Sequence, residues 1–313
     1  MSTAPKLAVL TSGGDAPGMN MAVWTLTQAA SAEGWEVLGV RDGFVGLLEG
    51  RLEPLTPTQT LSWARYGGTK LGTSRLADLP SHADKLLGML EHHTITTLAI
   101  LGGNGSAAAA AHLHSQTPNL TCVVLPATID NDVVGSDASI GFDTALNTGV
   151  RLLDGIRDSA EAMPRLFALE TLGGDTGFLA QAVARAGAAD ALLVPERVLA
   201  DDAIITQLQA ALTAKRYAII VASEGYPETE AVLERVSDKL GVRYRFSKTG
   251  HAQRGGQPSG RDRLLASELA LTAWQAVKIN QSGRTVWQAG KPTHVPFANA
   301  VLTTNKPFMW TFA

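Results

Sequence analysis

Residues 97–132 read TLAILGGNGSAAAAAHLHSQTPNLTCVVLPATIDND, and no Asp, Glu, Lys or Arg occurs between Glu91 and Asp130. Two short apolar runs, 97–101 and 121–125, bracket a Gly-rich turn from Gly102 to Ser106 and an Ala-rich stretch, 106–114, of high helix propensity. Apolar strands joined by a crossover helix are what a parallel sheet covered on both faces requires. A membrane span is excluded for this stretch. Gly102, Gly103, Asn104, Gly105, Ser106, Gln116, Pro118 and Asn119 interrupt it, whereas a span needs about 20 apolar residues in a row. The only cysteine, Cys122, falls in the second strand, where an inert buried thiol is expected; no disulfide within the chain is possible.

The same alternation extends in both directions. Residues 6–11 read as a buried strand, followed by the turn Ser12-Gly13-Gly14-Asp15 and a helix from Pro17 to about Ala32. A strand at 36–41 and a helix at 83–93 follow. A second series starts near 142: strands at 166–170, 191–194 and 217–222, and helices at 177–187 and 201–214. Over 313 residues there are 26 Lys and Arg against 29 Asp and Glu, a net charge of −3. The 18% charged fraction lies below the roughly 25% of average soluble domains, as expected of a folded protein with much buried surface. That balance lacks the footprint of a non-specific nucleic-acid or polybasic membrane binder, so neither partner is expected. The opening MSTAPKLAVLTSGG carries no secretory pattern, and a cytoplasmic location is expected.

Three turns follow predicted strands: residues 12–15, 102–106 and 127–132. Strand C-termini of an open parallel sheet are where ligands bind, and small residues there let backbone N–H groups approach phosphate oxygens. Neither glycine turn is a Walker A loop or a GxGxxG fingerprint. Singly, each is explained by tight-turn chemistry; together they would floor one cleft. Asp130 and Asp132, two residues apart at a strand end, suit one general base and one group facing a divalent cation. An Asp/Asn turn satisfying its own backbone accounts for that segment equally well. Six of the seven histidines, His82, His92, His93, His112, His114 and His294, show no metal-ligand spacing.

LTSGGDAPGMN (10–20), YGGTKLGTSR (66–75), GGNGS (102–106), PATIDND (126–132), IGFDTA (140–145) and GHAQRGGQPSGRDR (250–263) together resemble the phosphofructokinases of the bacterial ATP-dependent type, in order and with nearly family spacing. The resemblance covers almost the whole chain. It implies an α/β fold of two doubly wound, Rossmann-like domains with parallel-rich sheets and an active-site cleft between them. Residues 1–141 plus about 253–303 would form the ATP-binding domain, and about 142–252 plus 304–313 the sugar-phosphate domain. The implied reaction moves the γ-phosphoryl of ATP, with Mg²⁺, to the 1-hydroxyl of fructose 6-phosphate. Gly13, Arg75, Leu76, Gly103, Asn104, Gly105 and Ser106 match nucleotide-binding positions. Asp130 matches the catalytic base, with Thr128 beside it in the catalytic and substrate-binding segment. Arg165, Leu172, Gly173, Gly174, Glu224, Arg245, His251 and Arg254 match the sugar-phosphate site, and Asn104 and Asp132 the metal-facing positions. Because the positions of Arg165 and Arg245 reach in from a neighbouring subunit in the family, a homotetramer is implied.

The chain departs from the family at several of these positions. Asn104 stands in place of an aspartate, which predicts weaker metal-nucleotide binding, since hard cations favour charged oxygen ligands. Gly174 replaces an arginine, so one cation near the transferring phosphate or sugar site is missing; Trp24 and Gln28 replace two cations of the family's effector site, which predicts activity insensitive to its effectors. Gly105 and Ala127 are small where the pyrophosphate-dependent branch carries Asp and Lys, which favours ATP. The alternatives are a weakly active or non-catalytic sugar-phosphate-binding paralogue, or a kinase for tagatose 6-phosphate or sedoheptulose 7-phosphate.

Overall fold

The computed structural model describes residues 4–297, which divide into two compact units with separate sheets. The first contains the chain up to Thr128, then 132–142, then Gly256 onward; the second contains 129–131 and 143–255. The segment 304–313 expected in the second domain lies outside the described residues.

The first unit opens with β1 (Lys6–Thr11), α1 (Met19–Ala32), β2 (Glu36–Val40), α2 (Gly43–Leu48), β3 (Leu52–Pro54) and α3 (Pro57–Leu61). It continues through α4 (Ala83–His92), β4 (Thr97–Gly102), α5 (Asn104–Gln116), β5 (Thr121–Thr128) and the two-residue β6 (Ile140–Gly141). Every residue of β4 is buried, and every residue of β5 except Thr128. The charge-free run is therefore mid-sheet, where an unpaired charge would carry a large desolvation cost. Leu10, Leu47, Leu86, Leu98, Ile100 and Leu113 meet in one core cluster.

In the second unit, α6 (Phe142–Ala162), β7 (Leu166–Thr171), α7 (Phe178–Ala186), β8 (Ala191–Leu193), α8 (Asp201–Lys215), β9 (Ala218–Ser223), α9 (Thr229–Leu240) and β10 (Tyr244–Lys248) follow in turn. Its four strands are all parallel, in the order β10-β7-β9-β8. The central pair is apolar and buried apart from half-buried Glu170 of β7, while the edge strand β10, YRFSK, is partly exposed.

The chain completes the first unit with α10 (Gly260–Lys278), β11 (Gly283–Gln288) and β12 (Lys291–Pro296). Helix α10 begins at Gly260, where Ser259 caps it by accepting the Asp262 N–H at 3.1 Å. It packs on α1, and Trp274 meets Trp35 edge to face at 5.1 Å. The main sheet order is β12-β11-β5-β4-β1-β2-β3. Strand β1 lies between β2 and β4, so the chain builds outward to one side and then to the other. The topological switch point, where open α/β sheets bind ligands, falls between the ends of β1 and β4.

Candidate active site

At that switch point three distant motifs are stitched together within the first unit. The Ser12 N–H donates to the Leu101 carbonyl at 2.9 Å, and the buried Ser106 hydroxyl donates to the Ser12 carbonyl at 3.4 Å. The segment 66–75 is held against the same turn: Thr11 Oγ1 donates to the Gly72 carbonyl at 2.6 Å, the Gly13 N–H to the Ser74 carbonyl at 3.1 Å, and Thr73 Oγ1 to the Gly13 carbonyl at 2.9 Å. Buried Asn20 completes the seam, donating to the Tyr66 carbonyl at 3.0 Å and accepting the Lys70 N–H at 2.8 Å.

Two kinds of glycine occupy this floor. A Cβ on Gly102 would press on Ser106 Oγ and stand 2.6 Å from the Ser12 carbonyl, so packing alone forbids a side chain there. At Gly13, Gly103 and Gly105 a Cβ would meet nothing within 4 Å. Packing does not require those three to be bare; a ligand's bulk against the backbone would. Gly13 also has φ +88°, which favours glycine. Helix α5 starts at Asn104, two residues before the expected 106, so the Gly-rich segment is a helix N-terminus rather than a free loop. Its N-cap is Gly103 and no side chain caps it, which leaves a site suited to anions. Arg75 is exposed just beyond this floor, and Leu76 packs against the first core.

Strand β5 runs through Thr128, three residues past the expected 125, and Thr128's carbonyl accepts the Ser139 hydroxyl at 2.7 Å. Asn131, at φ +53°, turns the chain between Asp130 and Asp132, a conformation that Asn tolerates. The Asn104 side chain serves the next loop. Its Oδ1 accepts the Val134 N–H at 3.1 Å, while Nδ2 faces the Asp132 carbonyl at 3.2 Å and Asp132 Oδ2 at 3.4 Å. Among the described residues no cluster of three or more His, Cys, Asp or Glu could hold a metal. The amide oxygen of Asn104 is taken by the Val134 N–H and its nitrogen faces Asp132, so the Asp132 carboxylate is the group here suited to Mg²⁺ that arrives on a nucleotide's phosphates and keeps most of its waters.

In the second unit, residues 172–174 leave the end of β7. Glu224, which follows β9, accepts the Gly173 and Gly174 N–H groups on Oε1 at 3.0 and 2.8 Å. Glu224 therefore braces this turn in addition to any contact with a ligand. Asp130 lies alongside: a Cβ on Gly174 would be 3.7 Å from Asp130 Oδ2. His251 is exposed in a 3₁₀ turn, 250–253, and Arg254 follows it half-buried. A residue not anticipated from sequence holds that turn in place. Gln253, fully buried, accepts the Leu172 N–H at 2.9 Å and the Thr249 hydroxyl at 2.8 Å on Oε1, and donates to the Ala145 carbonyl at 3.2 Å. Its signal was its place inside the 250–263 motif, between the two residues that were assigned.

Arg165 and Arg245 lie elsewhere. Arg165 immediately precedes β7, and Arg245 pairs in register with Phe167, so both sit at the N-terminal edge of the second sheet. Glu224 and residues 172–174 are at the opposite edge, about 20 Å away for a six-residue strand. Within one chain the structure does not bring the two arginines to the other sugar-site residues. Cys122 is fully buried, and burial pushes its thiol up to about 12, the inert behaviour expected. No helix among the described residues is long and apolar enough to cross a membrane.

The phosphofructokinase family model matches residues 6–277. An ATP-dependent 6-phosphofructokinase of Tolumonas auensis is 36% identical over 307 residues, covering 97% of this chain and 95% of that one. Its counterpart in Coxiella burnetii is 38% identical over 301 residues, covering 95% and 92%. Among solved structures, the Pichia pastoris phosphofructokinase in the T-state superposes with a TM-score of 0.89 at 28% identity. It covers 95% of this chain, which spans only 35% of that longer one. A pyrophosphate-dependent phosphofructokinase of Marinobacter aquaeolei, 20% identical, shares the fold with a TM-score of 0.82. With three of its motifs joined at the switch point, the family model matched over residues 6–277 and relatives 36–38% identical over at least 95% of its length, the chain belongs to the phosphofructokinase family.

Proposed function

We propose that this protein is an ATP-dependent 6-phosphofructokinase, which transfers the γ-phosphoryl of magnesium-bound ATP to the 1-hydroxyl of fructose 6-phosphate in glycolysis. The observation that carries the proposal is Asp130, set beside the Gly173–Gly174 turn and one residue from the loop that Asn104 organises. Asp130 takes the proton of the 1-hydroxyl as that oxygen attacks the γ-phosphorus. The bond from phosphorus to the bridging oxygen breaks, and ADP leaves with Mg²⁺. Phosphoryl transfer needs positioning and charge neutralisation more than covalent help from the protein. The bare backbone at Gly13, Gly103 and Gly105, the N-terminus of α5 and Arg75 supply that toward the nucleotide, with Ser106 and Leu76 behind them. Thr128 lines the reacting end. Magnesium comes with ATP as part of the substrate and neutralises phosphate charge; Asp132, with Asn104 beside it, is the residue placed to meet it.

The first unit is the nucleotide-binding domain and the second the sugar-phosphate domain in this reading. Leu172, Gly173, Gly174, Glu224, His251 and Arg254 take fructose 6-phosphate. Arg165 and Arg245 serve a neighbouring subunit of a homotetramer, which their place at the far edge of the second sheet supports. Neither half-buried Trp24 nor exposed Gln28 offers a cation to an anionic effector, so phosphoenolpyruvate is expected to leave the rate unchanged. The enzyme works in the cytoplasm, without nucleic-acid or membrane partners. A coupled assay with fructose 6-phosphate, tagatose 6-phosphate and sedoheptulose 7-phosphate, each with ATP or pyrophosphate, tests the proposal. The fastest turnover is expected with ATP and fructose 6-phosphate; turnover with pyrophosphate alone, or none with any pair, would overturn it.

A further inference from the structure

Arg284 is a buried cation that the proposed reaction leaves unused. It lies on β11, level with Val124 of β5, and is 5% exposed. Among the described residues no carboxylate lies within ion-pair distance of it, and its Nε is buried without a hydrogen-bond partner. Desolvation holds its guanidinium below the usual arginine range. A cation in this state is costly, and replacing a buried charge with an apolar side chain of similar size is often neutral or stabilising. Stability of the fold is thus a poor reason for an arginine here.

The one hydrogen bond that its guanidinium makes among the described residues shows another. The Arg284 guanidinium donates to the Val134 carbonyl at 3.2 Å, and the N–H of the same residue is held by Asn104 Oδ1 at 3.1 Å. Both backbone polar groups of Val134 are therefore taken by side chains from two separate elements, α5 and β11. Asn104 also faces Asp132, two residues upstream. The rest of the loop lies along β11: the Trp287 N–H donates to Ser136 Oγ at 2.9 Å, and Gln288 Nε2 to the Gly135 carbonyl at 2.8 Å. Those contacts fix the outer part of the loop, whereas the clamp on Val134 fixes the end that carries Asp132.

We infer that Arg284 is a positioning residue for the nucleotide–magnesium end of the site, acting through Val134 to hold Asp132 in place. The inference rests on the proposed kinase reading. It predicts a selective defect: fructose 6-phosphate, bound by residues of the second unit, should not sense Arg284.

The test uses the full chain with Arg284→Met, Arg284→Lys and Asn104→Ala. Calorimetric titrations follow a non-hydrolysable ATP analogue with Mg²⁺ and, separately, fructose 6-phosphate; thermal unfolding is measured in parallel. For Arg284→Met, nucleotide affinity should fall about tenfold, the equivalent of one charge-assisted hydrogen bond. Fructose 6-phosphate affinity should stay within about twofold and Tm should not fall. Arg284→Lys, which keeps a donor for the Val134 carbonyl, should bring the nucleotide back to within about threefold. The double variant with Asn104→Ala should lose less than the product of the single losses, because both residues clamp one peptide. A Met variant that fails to fold, that loses Tm with nucleotide affinity intact, or that weakens both ligands alike would make Arg284 structural and overturn the inference. A wild-type chain without ATP-dependent phosphorylation would instead defeat the functional reading itself.

Discussion

Replacing Asn104 with aspartate changes only an amide to a carboxylate, yet the structure predicts a large response that depends on cation. The Val134 N–H bond to Oδ1 survives, since a carboxylate accepts it at least as well. Both contacts from Nδ2 toward Asp132 disappear, at about 0.5–1.5 kcal/mol each. In place of the donor, a second negative charge stands 3.4 Å from Asp132 Oδ2. Two unit charges at that distance repel by about 1 kcal/mol in bulk water and about 5 kcal/mol at an effective dielectric of 20. Both residues are half-buried, so a net loss of about 2–4 kcal/mol is expected without divalent ions. A cation between the carboxylates removes the repulsion, and Mg²⁺ is commonly held by one or two such groups. Thermal unfolding in EDTA should place Asn104→Asp below wild type by several degrees, and millimolar Mg²⁺ should restore most of the difference while leaving wild type unmoved. Turnover with ATP at limiting Mg²⁺ should rise in the variant. A variant as stable as wild type in EDTA, or one that Mg²⁺ does not rescue, would refute the reading of Asn104 as a neutral substitute for a cation site.

Three further outcomes follow from other parts of the fold. Gln253→Leu strands the Leu172 N–H and the Ala145 carbonyl in the interior; urea unfolding should show a loss above about 2 kcal/mol, with a raised KM for fructose 6-phosphate as the turn bearing His251 loosens. Gly102→Ala forces a Cβ against Ser106 and the Ser12 carbonyl; about 1–3 kcal/mol of stability should be lost, with nucleotide affinity falling alongside. Burial on β12 holds the His294 imidazole below its usual value. The folded state therefore binds fewer protons than the unfolded one, so the neutral side chain's contribution is intact above about pH 6.5 and shrinks as the pH falls toward the lowered value. Between pH 7.5 and 5 wild type should lose stability relative to His294→Phe; parallel pH dependences of the two would exclude the effect.

How much of this could be read from residues alone depended on where the signal lay. The central strands were legible because a strand covered on both faces must be apolar, and β1, β4, β7 and β9 are. Edge elements were not. Half-exposed β10 has no apolar run, and β12 carries Pro292 and Pro296, which edge strands tolerate and which otherwise argue against a strand. Helix α6 went unread because the side it buries carries mostly small or polar residues, Thr144, Ala145, Gly149 and Ala160 around a single Leu153, which leave little apolar signal in the sequence. Glycines at the switch point were visible, but composition could not separate Gly102, excluded by packing, from Gly103, bare toward open space. Buried polar brackets were the hardest. Gln253 had only its place inside the 250–263 motif to mark it and Arg284 had nothing, because the Leu172 N–H and the Val134 carbonyl that they hold lie 81 and 150 residues away in sequence. The edge placement of Arg165 and Arg245 likewise needed strand register.

If Asp130 is the base for phosphoryl transfer from ATP to fructose 6-phosphate, Asp130→Ser should remove the chemical step and spare sugar-phosphate binding. Steady-state rates with ATP, measured beside fructose 6-phosphate affinity by calorimetry, should show kcat falling by about 10²–10⁴ while sugar-phosphate affinity stays within a few-fold of wild type. Turnover at the wild-type rate in the serine variant would show that Asp130 is not the base.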